Sequence, residues 1–294
     1  MKLRERIVAL GGTFRFGAEV TGVLLKEGRC AGVELASGER LEAPAVVMAP
    51  GLGGRALVQR MMAQGAACGL KPFQLGCRIE HPQEFIDRAM YHLESRPAAL
   101  GAAEYHLVSR SREGIPGVSS FCMCPGGVIL NATAWSGRSV TNGMSDYARS
   151  GEFANGCLIT TFQPEAIGDV TEVYRFLAGL ESRFFEAGGG DYTLPAQDAA
   201  AFLAGRAGLS QRRTGAATGI VPGRLDRMVP ELLGTALRAA IRHFDRGNPG
   251  FIRYGKLVGL ETCVSSPLRF LRDSVTFESN LSGLYPAGEG VGCA

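Results

Sequence analysis

The segment "AVVMAPGLGGRALVQRMMAQG", residues 45–65, carries most of the fold information in this sequence. It begins with an apolar run, passes through a glycine-rich turn and continues with apolar residues at helical spacing, which predicts a helix at residues 56–64. The apolar run lacks the alternation of a half-exposed strand, so we expect it to be buried on both faces in a parallel sheet. A strand, a turn and a helix in this order are typical of an α/β protein.

The flanking regions predict a mixed α/β fold with an antiparallel part. Upstream, in residues 13–49, short β-rich runs that begin with "TFRF" alternate with turns and predict a small β-meander. Downstream, we expect a strand at residues 73–79 and a helix at residues 82–93. Residues 105–162 then read as a mostly antiparallel block, in which "SGEFANG" is one of several turn signals.

Three helices are predicted in the second half of the chain. Asp169 and Glu172 have the spacing of a capping box ahead of an amphipathic helix. Pro195 is expected to open a short helix that Gly205 ends. Apolar residues recur at helical spacing through residues 228–246, which predicts one continuous helix there.

Composition restricts the class of protein. A chain of 294 residues with 46% hydrophobic residues can bury a large core, so we expect a globular protein of one or two domains. A net charge of +3 gives no reason to expect a nucleic acid or a membrane surface as partner. No apolar run has the length of a membrane span and the N-terminal apolar run is too short for a signal peptide, so a cytoplasmic location is expected. The eight cysteines are scattered, so reduced thiols are expected.

The turn from Gly51 to Ala56 fits the G-x-G-x-x-A pattern of a dinucleotide-binding fingerprint, because it follows a predicted strand and opens a predicted helix. Against this, Glu80 lies farther on than the usual acidic residue of that motif, and a β-meander precedes the turn. Three interpretations stay open at this point: a pyrophosphate-binding turn, a plain strand-to-helix turn, or a segment that pairs with the far end of the chain.

Segments at both ends of the chain carry a resemblance to a known group. "VVMAPG" (residues 46–51) and "GLYPAGEG" (residues 283–290) resemble the two later signature segments of FAD-dependent flavoproteins of the glutathione-reductase type. Further motifs in the same order resemble the uncharacterised FAD-dependent dehydrogenases related to BaiN-like flavoproteins. These are "GCRIEHPQ" (76–83), "FCMCPGG" (121–127), "TNGMS" (141–145) and "ETCVSSP" (261–267).

The resemblance implies a cofactor, an activity and a partner. It implies FAD as cofactor, hydride transfer on a small-molecule substrate, and NAD(P)H as a candidate electron donor. Only the C-terminal portion of these proteins is matched, so we expect the chain alone to bind FAD weakly and a separate N-terminal nucleotide-binding half to be a candidate partner. The implied cofactor-binding residues are Ala49, Pro50, Gly51, Gly288, Glu289, Gly290, Val291 and Gly292.

Elementary chemistry supports the implied role of the last turn. Glycines at positions 288, 290 and 292 let the backbone approach a ligand closely. The amides near Gly290 and Val291 are expected to face the cofactor, and the Glu289 carboxylate is expected to accept a hydrogen bond from a sugar hydroxyl. An ordinary exposed turn is the alternative interpretation.

Four residues in the middle of the chain are the candidate catalytic residues: Arg78, Cys122, Cys124 and Asn142. On a regular strand Cys122 and Cys124 point to the same face, and no further ligands at metal spacing accompany them, so no metal is expected. One alternative is a buried structural pair; the other is a thiolate that faces the flavin or substrate, with its pKa depressed by Arg78. Arg78 and Glu80 also share a face, where an ion pair between them competes with a role in the site.

The predicted organisation has three parts. Residues 1–75 and 255–294 are expected to form the remnant of a two-layer, Rossmann-type FAD-binding domain. Residues 76–254 are expected to form an inserted substrate or cap domain of antiparallel strands and helices. A non-catalytic fragment or subunit of a split flavoprotein, and a thiol-dependent binding protein, are the competing interpretations.

Overall fold

The structure is a computed structural model that describes residues 2–97, 99–210 and 213–293. Its strands are, in chain order, β1 (Val20–Lys26), β2 (Arg29–Leu35), β3 (Arg40–Glu42), β4 (Val46–Met48), β5 (Cys68–Leu70), β6 (Phe73–Pro82), β7 (Val108–Ser109), β8 (Val118–Cys124), β9 (Val128–Asn131), β10 (Thr141–Met144), β11 (Phe153–Phe162), β12 (Leu194–Asp198), β13 (Ile220–Pro222), β14 (Lys256–Glu261), β15 (Leu268–Phe270) and β16 (Leu284–Pro286).

The helices of the described residues are fewer than the strands. They are α1 (Lys2–Ala9), α2 (Arg55–Ala63), α3 (Gln83–Tyr91), α4 (Val170–Ala187), α5 (Ala199–Leu203), α6 (Leu225–Met228), α7 (Glu231–Gly247) and α8 (Phe251–Tyr254), with 3-10 turns at Pro164–Ala166 and Glu289–Val291. Two of them, α4 and α7, are the longest elements. The fold is therefore mixed α/β, which confirms the predicted class. Within the described ranges, every helix is too short or too polar to cross a bilayer.

The chain divides into two compact units. Unit 1 comprises the residues up to Gly69 and those from Arg269 onward, and unit 2 runs from Leu70 to Leu268. The predicted boundary after residue 254 differs from this division, because β14 is hydrogen bonded to β6 and β12 inside the large sheet of unit 2. The cofactor and substrate roles assigned to the two parts remain predictions.

Unit 1 contains the predicted β-meander. Strands β1, β2 and β3 form an antiparallel sheet in that order, while the "TFRF" run at residues 13–16 is not a strand. Strand β4 pairs in parallel with β16, as expected for that segment. The prediction that it is buried on both faces is wrong for this chain, because Val47, between buried Val46 and Met48, is 69% exposed.

Unit 2 is built on a seven-stranded sheet in the order β13-β12-β14-β6-β11-β8-β7. All neighbouring pairs are antiparallel except β12 and β13. Strands β6 and β11 pair along their whole length, from Phe73 opposite Phe162 to Pro82 opposite Phe153, and nearly all of their side chains are buried. Buried apolar side chains on these two central strands supply much of the driving force for folding. The short sheet of β9 and β10 packs near this sheet, with contacts to β6, β8, β11 and β14.

Two helix predictions were wrong, each because of a proline. Pro195 lies inside β12, opposite Val221 of β13, and the short helix α5 begins four residues later at Ala199. The expected continuous helix at residues 228–246 is interrupted, since Pro230 is the N-cap of α7 and the residue before it, Val229, has extended backbone angles. A residue preceding proline is sterically pushed out of the helical region.

The capping box of α4 is present as predicted. The Asp169 carboxylate accepts from the backbone N–H of Glu172 at 2.9 Å, and the Glu172 carboxylate accepts from the Asp169 N–H at 3.0 Å. We expect Asp169→Ala to lower the free energy of unfolding of unit 2 by about 1 kcal/mol, since one helix-terminal N–H loses its acceptor. Urea unfolding followed by circular dichroism measures this. Thr171→Ala, at an exposed neighbouring position, is the control; equal losses in the two variants would contradict a capping role.

Candidate functional site

Arg78 lies on β6 between β11 and β14, with none of its surface exposed. Because side chains alternate along a strand, Gly76, Arg78 and Glu80 share one face of the sheet. The register places Asn155 and Cys157 of β11 directly opposite Glu80 and Arg78. A guanidinium buried in this way costs free energy unless its donors and its charge find partners.

The partners of Arg78 come from four strands, β8, β10, β11 and β14. Its Nε donates to Glu261 Oε2 at 2.9 Å, its Nη1 to Asn155 Oδ1 at 2.8 Å and to the Cys122 carbonyl at 3.0 Å, and its Nη2 to Asn142 Oδ1 at 2.9 Å; Cys124 Sγ lies 3.9 Å from Nη1. We call these six residues the Arg78 cluster. All four candidate catalytic residues belong to it.

Glu261 reaches Arg78 through a bulge in β14. The pairing with β6 shifts between Val258 and Glu261, and Gly259 in the bulge has a positive φ of 60°. A Cβ on Gly259 would collide with the side chain of Thr141, so both the backbone angle and the space require glycine. The bulge places the carboxylate against the guanidinium, and sequence analysis did not single out this residue. Its one signal was its place at the start of the "ETCVSSP" motif.

A second bulge changes the expected geometry of the two cysteines. Cys122 and Met123 of β8 oppose the single residue Gly156 of β11, and Cys122 has a φ of 43°, in the left-handed region. Cys122 is exposed and Cys124 is buried, with Cys124 Sγ donating to the Cys122 carbonyl at 3.3 Å. The regular alternation predicted from the sequence is therefore wrong, because a bulge re-aims the residues on either side of it.

Strand β10 covers the guanidinium. Asn142 is on this strand and not in a turn, and its Oδ1 also accepts from the Gly143 N–H at 2.7 Å. A Cβ on Gly143 would overlap Arg78 Nη1 and Asn155 Oδ1, so the bare backbone of this glycine lies directly over the cluster. Glycine within a strand is typical of such a close approach.

The cysteine thiols of the cluster are not activated. Burial raises the pKa of Cys124, and Arg78, which acts in the opposite direction, does not outweigh it. Burial likewise raises the pKa of Cys122 despite the nearby guanidinium. Of the two alternatives for the cysteines, a thiolate whose pKa Arg78 depresses is therefore the less favoured, because desolvation of the thiolate is the larger effect.

The guanidinium and its carboxylate remain a charged pair. Burial lowers the pKa of Arg78, but the Glu261 carboxylate and the neighbouring thiols outweigh it, and the net pKa is raised. Burial raises the pKa of Glu261 above its ordinary value, and Arg78 opposes this. At neutral pH the two charges offset each other inside the protein, so the pair positions the strands and the exposed Cys122 and Asn142 around it.

One amide of the cluster has unused hydrogen-bonding capacity. Asn155 is completely buried, its Oδ1 accepts from Arg78, and its Nδ2 has no hydrogen-bond partner within the described residues. A buried amide without a partner costs free energy, so such a group is usually explained by a bound molecule or by function. Sequence analysis missed Asn155, since "SGEFANG" was taken as a turn, whereas Phe153 already begins β11.

The ion pair between Arg78 and Glu80, one of the two alternatives for these residues, does not form. Glu80 instead lies 3.1 Å from Lys256 Nζ and accepts hydrogen bonds from Thr214 Oγ1 and from the Gly215 N–H at 2.8 Å. Each carboxylate of this face thus has its own cation, because the register of β14 places Lys256 opposite Glu80.

The predicted flavin segments lie together in unit 1. Parallel pairing sets Leu284 opposite Val46 and Pro286 opposite Met48, so the turns that follow β4 and β16 leave from the same sheet edge. A Cβ on Gly290 would overlap the carbonyl group of Gly51, which places the two glycine turns in contact.

The glycine turns have the features that a flavin nucleotide needs. Gly51 and Gly288 have φ values of 65° and 79°, and neither has an atom within 4 Å of the place where a Cβ would be. Backbone that is bare and open on that side can be approached by a ribityl or phosphate group. The residues present therefore fit FAD, with Ala49, Pro50 and Gly51 on one turn and residues 288–292 on the other.

Two arginines that the sequence analysis missed hold the second turn. Arg272 Nη1 donates to the Pro286 carbonyl at 2.7 Å and its Nη2 to the Cys293 carbonyl at 3.3 Å. Arg269 Nε donates to the Gly292 carbonyl at 3.1 Å. Together the two arginines hold the backbone carbonyl groups at both ends of the turn. Sequence analysis missed them because no sequence motif marks an arginine that binds backbone oxygens.

Comparison with known proteins places this chain in a family. Residues 72–264 match the family described as FAD-dependent protein, C-terminal domain-like. The chain belongs to this FAD-dependent protein family. The match covers most of unit 2, including every residue of the Arg78 cluster. The family assignment confirms the general resemblance to FAD-dependent proteins, while the narrower BaiN-like grouping remains a proposal.

Two individual proteins are similar to this family member. An uncharacterized protein of Clostridium beijerinckii (strain ATCC 51743 / NCIMB 8052) is 34% identical over 297 residues, covering 99% of this chain and 56% of the relative. The chain thus spans just over half the length of that relative. Among solved structures, BrvH, a flavin-dependent halogenase from Brevundimonas sp. BAL3, has a TM-score of 0.28 and 16% identity, covering 59% of this chain and 27% of that enzyme. This structural similarity is too small to bear on function.

Proposed function

We propose that this chain is the C-terminal part of an FAD-dependent oxidoreductase of the BaiN-like group. The observation that carries the proposal is the family match over residues 72–264, joined by the contact between the two glycine turns of unit 1. When bound, FAD supplies two-electron redox chemistry, which the side chains of a protein do not provide by themselves. The substrate is proposed to be a small molecule, with NAD(P)H as electron donor, in a cytoplasmic enzyme.

Unit 1 is proposed to bind the cofactor as the remnant of a Rossmann-type domain. Ala49, Pro50 and Gly51 would present backbone on one side of the ligand. The turn at residues 288–292 would present amides and the Glu289 carboxylate, which can accept a hydrogen bond from a ribityl or ribose hydroxyl. The hydrogen bonds from Arg269 and Arg272 preorganise this turn, which reduces the entropy lost on binding.

Unit 2 is proposed to orient the substrate. Arg78 and Asn155 are completely buried, so their proposed role is to hold the exposed residue Asn142, which can hydrogen bond to a polar group of a substrate. Cys122, exposed at its bulge, is proposed to line the same wall as Asn142. Because the pKa values of both cysteines are raised, the proposed role of the thiols is packing and positioning, and proton or hydride transfer does not require a thiolate.

FAD titration tests the cofactor proposal. We expect Glu289→Ala to weaken FAD binding by about tenfold or more, because a charge-assisted hydrogen bond contributes roughly 1–3 kcal/mol. Flavin fluorescence measures the affinity, both for this chain and for a fusion that adds an N-terminal nucleotide-binding half, and the fusion is expected to bind far more tightly.

The matched control is Glu19→Ala, which removes an exposed carboxylate from the same unit. Its FAD affinity should equal that of the unmodified protein. Unchanged FAD affinity in Glu289→Ala, in a fusion that does bind FAD, would return the turn at residues 288–292 to the status of an ordinary turn. A thiol-dependent binding protein is the second candidate, and alkylation of Cys122 that FAD does not slow would favour it.

A further inference from the structure

Unit 2 contains a cleft with a concentration of arginine side chains. It has a volume of about 530 Å³ and lies between α7 and the hairpin loop that follows β7. We call it the basic cleft and define it by six of its lining residues: Ser109, Arg110, Arg112, Glu113, His243 and Arg246. None of these residues belongs to the Arg78 cluster, and the proposed flavin chemistry does not use them.

The three arginines of the basic cleft outnumber the carboxylate among its lining residues, Glu113, so a net positive charge remains. Arg110, Arg112 and Arg246 form no ion pair with a carboxylate within residues 2–97, 99–210 and 213–293. Other exposed arginines of unit 2 do so, such as Arg88 with Glu84 and Arg213 with Glu152. Three guanidinium groups around one cleft repel each other, and an anion between them removes that cost.

The loop that carries two of these arginines has a defined conformation. Arg112 and Ile115 exchange two backbone hydrogen bonds, of 3.1 and 2.8 Å, around Glu113 and Gly114. Both of these residues have positive φ, 49° and 79°, as a two-residue type I′ hairpin turn requires. The Ser111 hydroxyl donates to the Ile115 carbonyl at 2.9 Å. The arginine backbones are therefore fixed before any ligand arrives, which favours binding.

The opposite wall is the last part of α7. His243 and Arg246 are three residues apart and so lie on the same side of the helix, with Arg246 Nη2 3.3 Å from His243 Nδ1. Arg246 can thus donate to the imidazole and still offer further N–H groups to the cleft. Donors therefore face the cleft from two separate elements.

We propose that the basic cleft binds a phosphorylated small molecule of nucleotide size. Guanidinium groups form paired hydrogen bonds with phosphate oxygens, and three of them match the two or more charges of a diphosphate better than the single charge of a carboxylate. The volume lies in the range of small-molecule sites. A nucleic acid fits less well, because the chain carries a net charge of only +3 and three arginines around one cleft do not form an extended basic surface.

Calorimetric titration of the full chain with ADP tests the proposal, at about 50 mM salt so that screening is modest. We expect saturable binding of ADP and none of adenosine, which lacks the phosphates. Arg110→Ala and Arg246→Ala should each weaken ADP binding by about tenfold. Both positions are exposed, so these variants are expected to fold, and a thermal melt verifies this.

Arg175→Ala is the matched control, since it removes the same charge from an exposed position on α4 outside the cleft. ADP affinity within about twofold of the unmodified protein is expected for it. No ADP binding at millimolar concentration, or equal weakening in Arg175→Ala and Arg246→Ala, overturns the proposal. Citrate serves as a phosphate-free polyanion, and tighter binding of citrate than of ADP would overturn the assignment to phosphate.

Discussion

Arg78→Met should lower the free energy of unfolding of unit 2 by about 3–5 kcal/mol, the usual cost of breaking a buried ion pair from one side. The change leaves the Glu261 carboxylate buried without its cation, and the Asn142, Asn155 and Cys122 oxygens lose the hydrogen bonds that Arg78 donates. Urea unfolding at pH 7 measures the loss. Arg88→Met, which removes an exposed arginine paired with Glu84 on α3, should cost about 0.5 kcal/mol or less.

The loss should depend on pH in a direction that identifies its cause. Burial already raises the pKa of Glu261, and removing Arg78 removes the main influence that lowers it. A carboxyl with a raised folded-state pKa binds its proton more tightly when folded, so its contribution to stability falls as pH rises through that pKa. Arg78→Met should therefore be less destabilising at pH 5 than at pH 8. Adding Glu261→Gln should recover part of the loss and flatten this dependence.

An unfolding free energy for Arg78→Met equal to that of Arg88→Met would show that the Arg78 cluster does not organise unit 2. An intermediate result is informative as well. If stability drops but Glu261→Gln recovers none of it, the carboxylate is not the group left in need of a partner, and the amides and the Cys122 carbonyl carry the loss.

The structural features that depend only on residues close together in the chain were predicted from the sequence. The capping box of Asp169 and Glu172 is a local arrangement, and it is present as expected. The helix expected at residues 56–64 is α2, shifted by one residue, because glycines before it and apolar spacing within it are both local signals. The mixed α/β class follows from the same kind of signal.

The candidate site was predictable only in part. Three separate motifs supplied the four candidate catalytic residues. The structure brings Cys122, Cys124 and Asn142 to the guanidinium of Arg78. Their two missing partners are far apart in the chain: Glu261 is 183 residues from Arg78 and Asn155 is 77 residues from it. Pairing at such separations depends on strand register, and here also on a bulge in β14, which no local pattern reveals.

One proline and one glycine were interpreted as signals of a helix start and a turn, although both lie in strands of the large sheet. Pro195 is tolerated in a strand because Leu194 and Ala196 form the neighbouring hydrogen bonds on the β13 side, and the pairing with β14 begins only at Ala196. Gly156 lies in β11 because a Cβ there would come within 2.9 Å of the Tyr105 hydroxyl. A glycine that makes room for a packed ring and a glycine that permits a turn have the same local signature.

A second large effect is expected from His81, whose contribution to stability should disappear in mild acid. The imidazole is buried between Phe85 and Phe251, with ring centroids 5.4 and 4.3 Å away, and its Nε2 lies 2.9 Å from the Phe251 carbonyl. A carbonyl only accepts, so Nε2 carries the proton in the neutral ring. Burial lowers the pKa of His81 to about 4, although the hydrogen bond to Phe251 acts in the opposite direction.

The direction of the pH effect follows from this lowered pKa. The unfolded chain binds the proton near pH 6.5 and the folded protein only near pH 4, so unfolding takes up a proton between these values. The contribution of His81 to the free energy of unfolding is fully present above about pH 6.5. It decreases by roughly 3 kcal/mol as the pH drops toward 4, and it changes little below that pH. His81→Phe keeps an aromatic ring at this position and removes the titrating group. Its unfolding free energy, measured in urea at pH 7.5, 6, 5 and 4.5, should fall less steeply than that of the unmodified protein, because every other titrating group is shared. Parallel curves for the two proteins would show that the buried imidazole is not the group that makes acid destabilising.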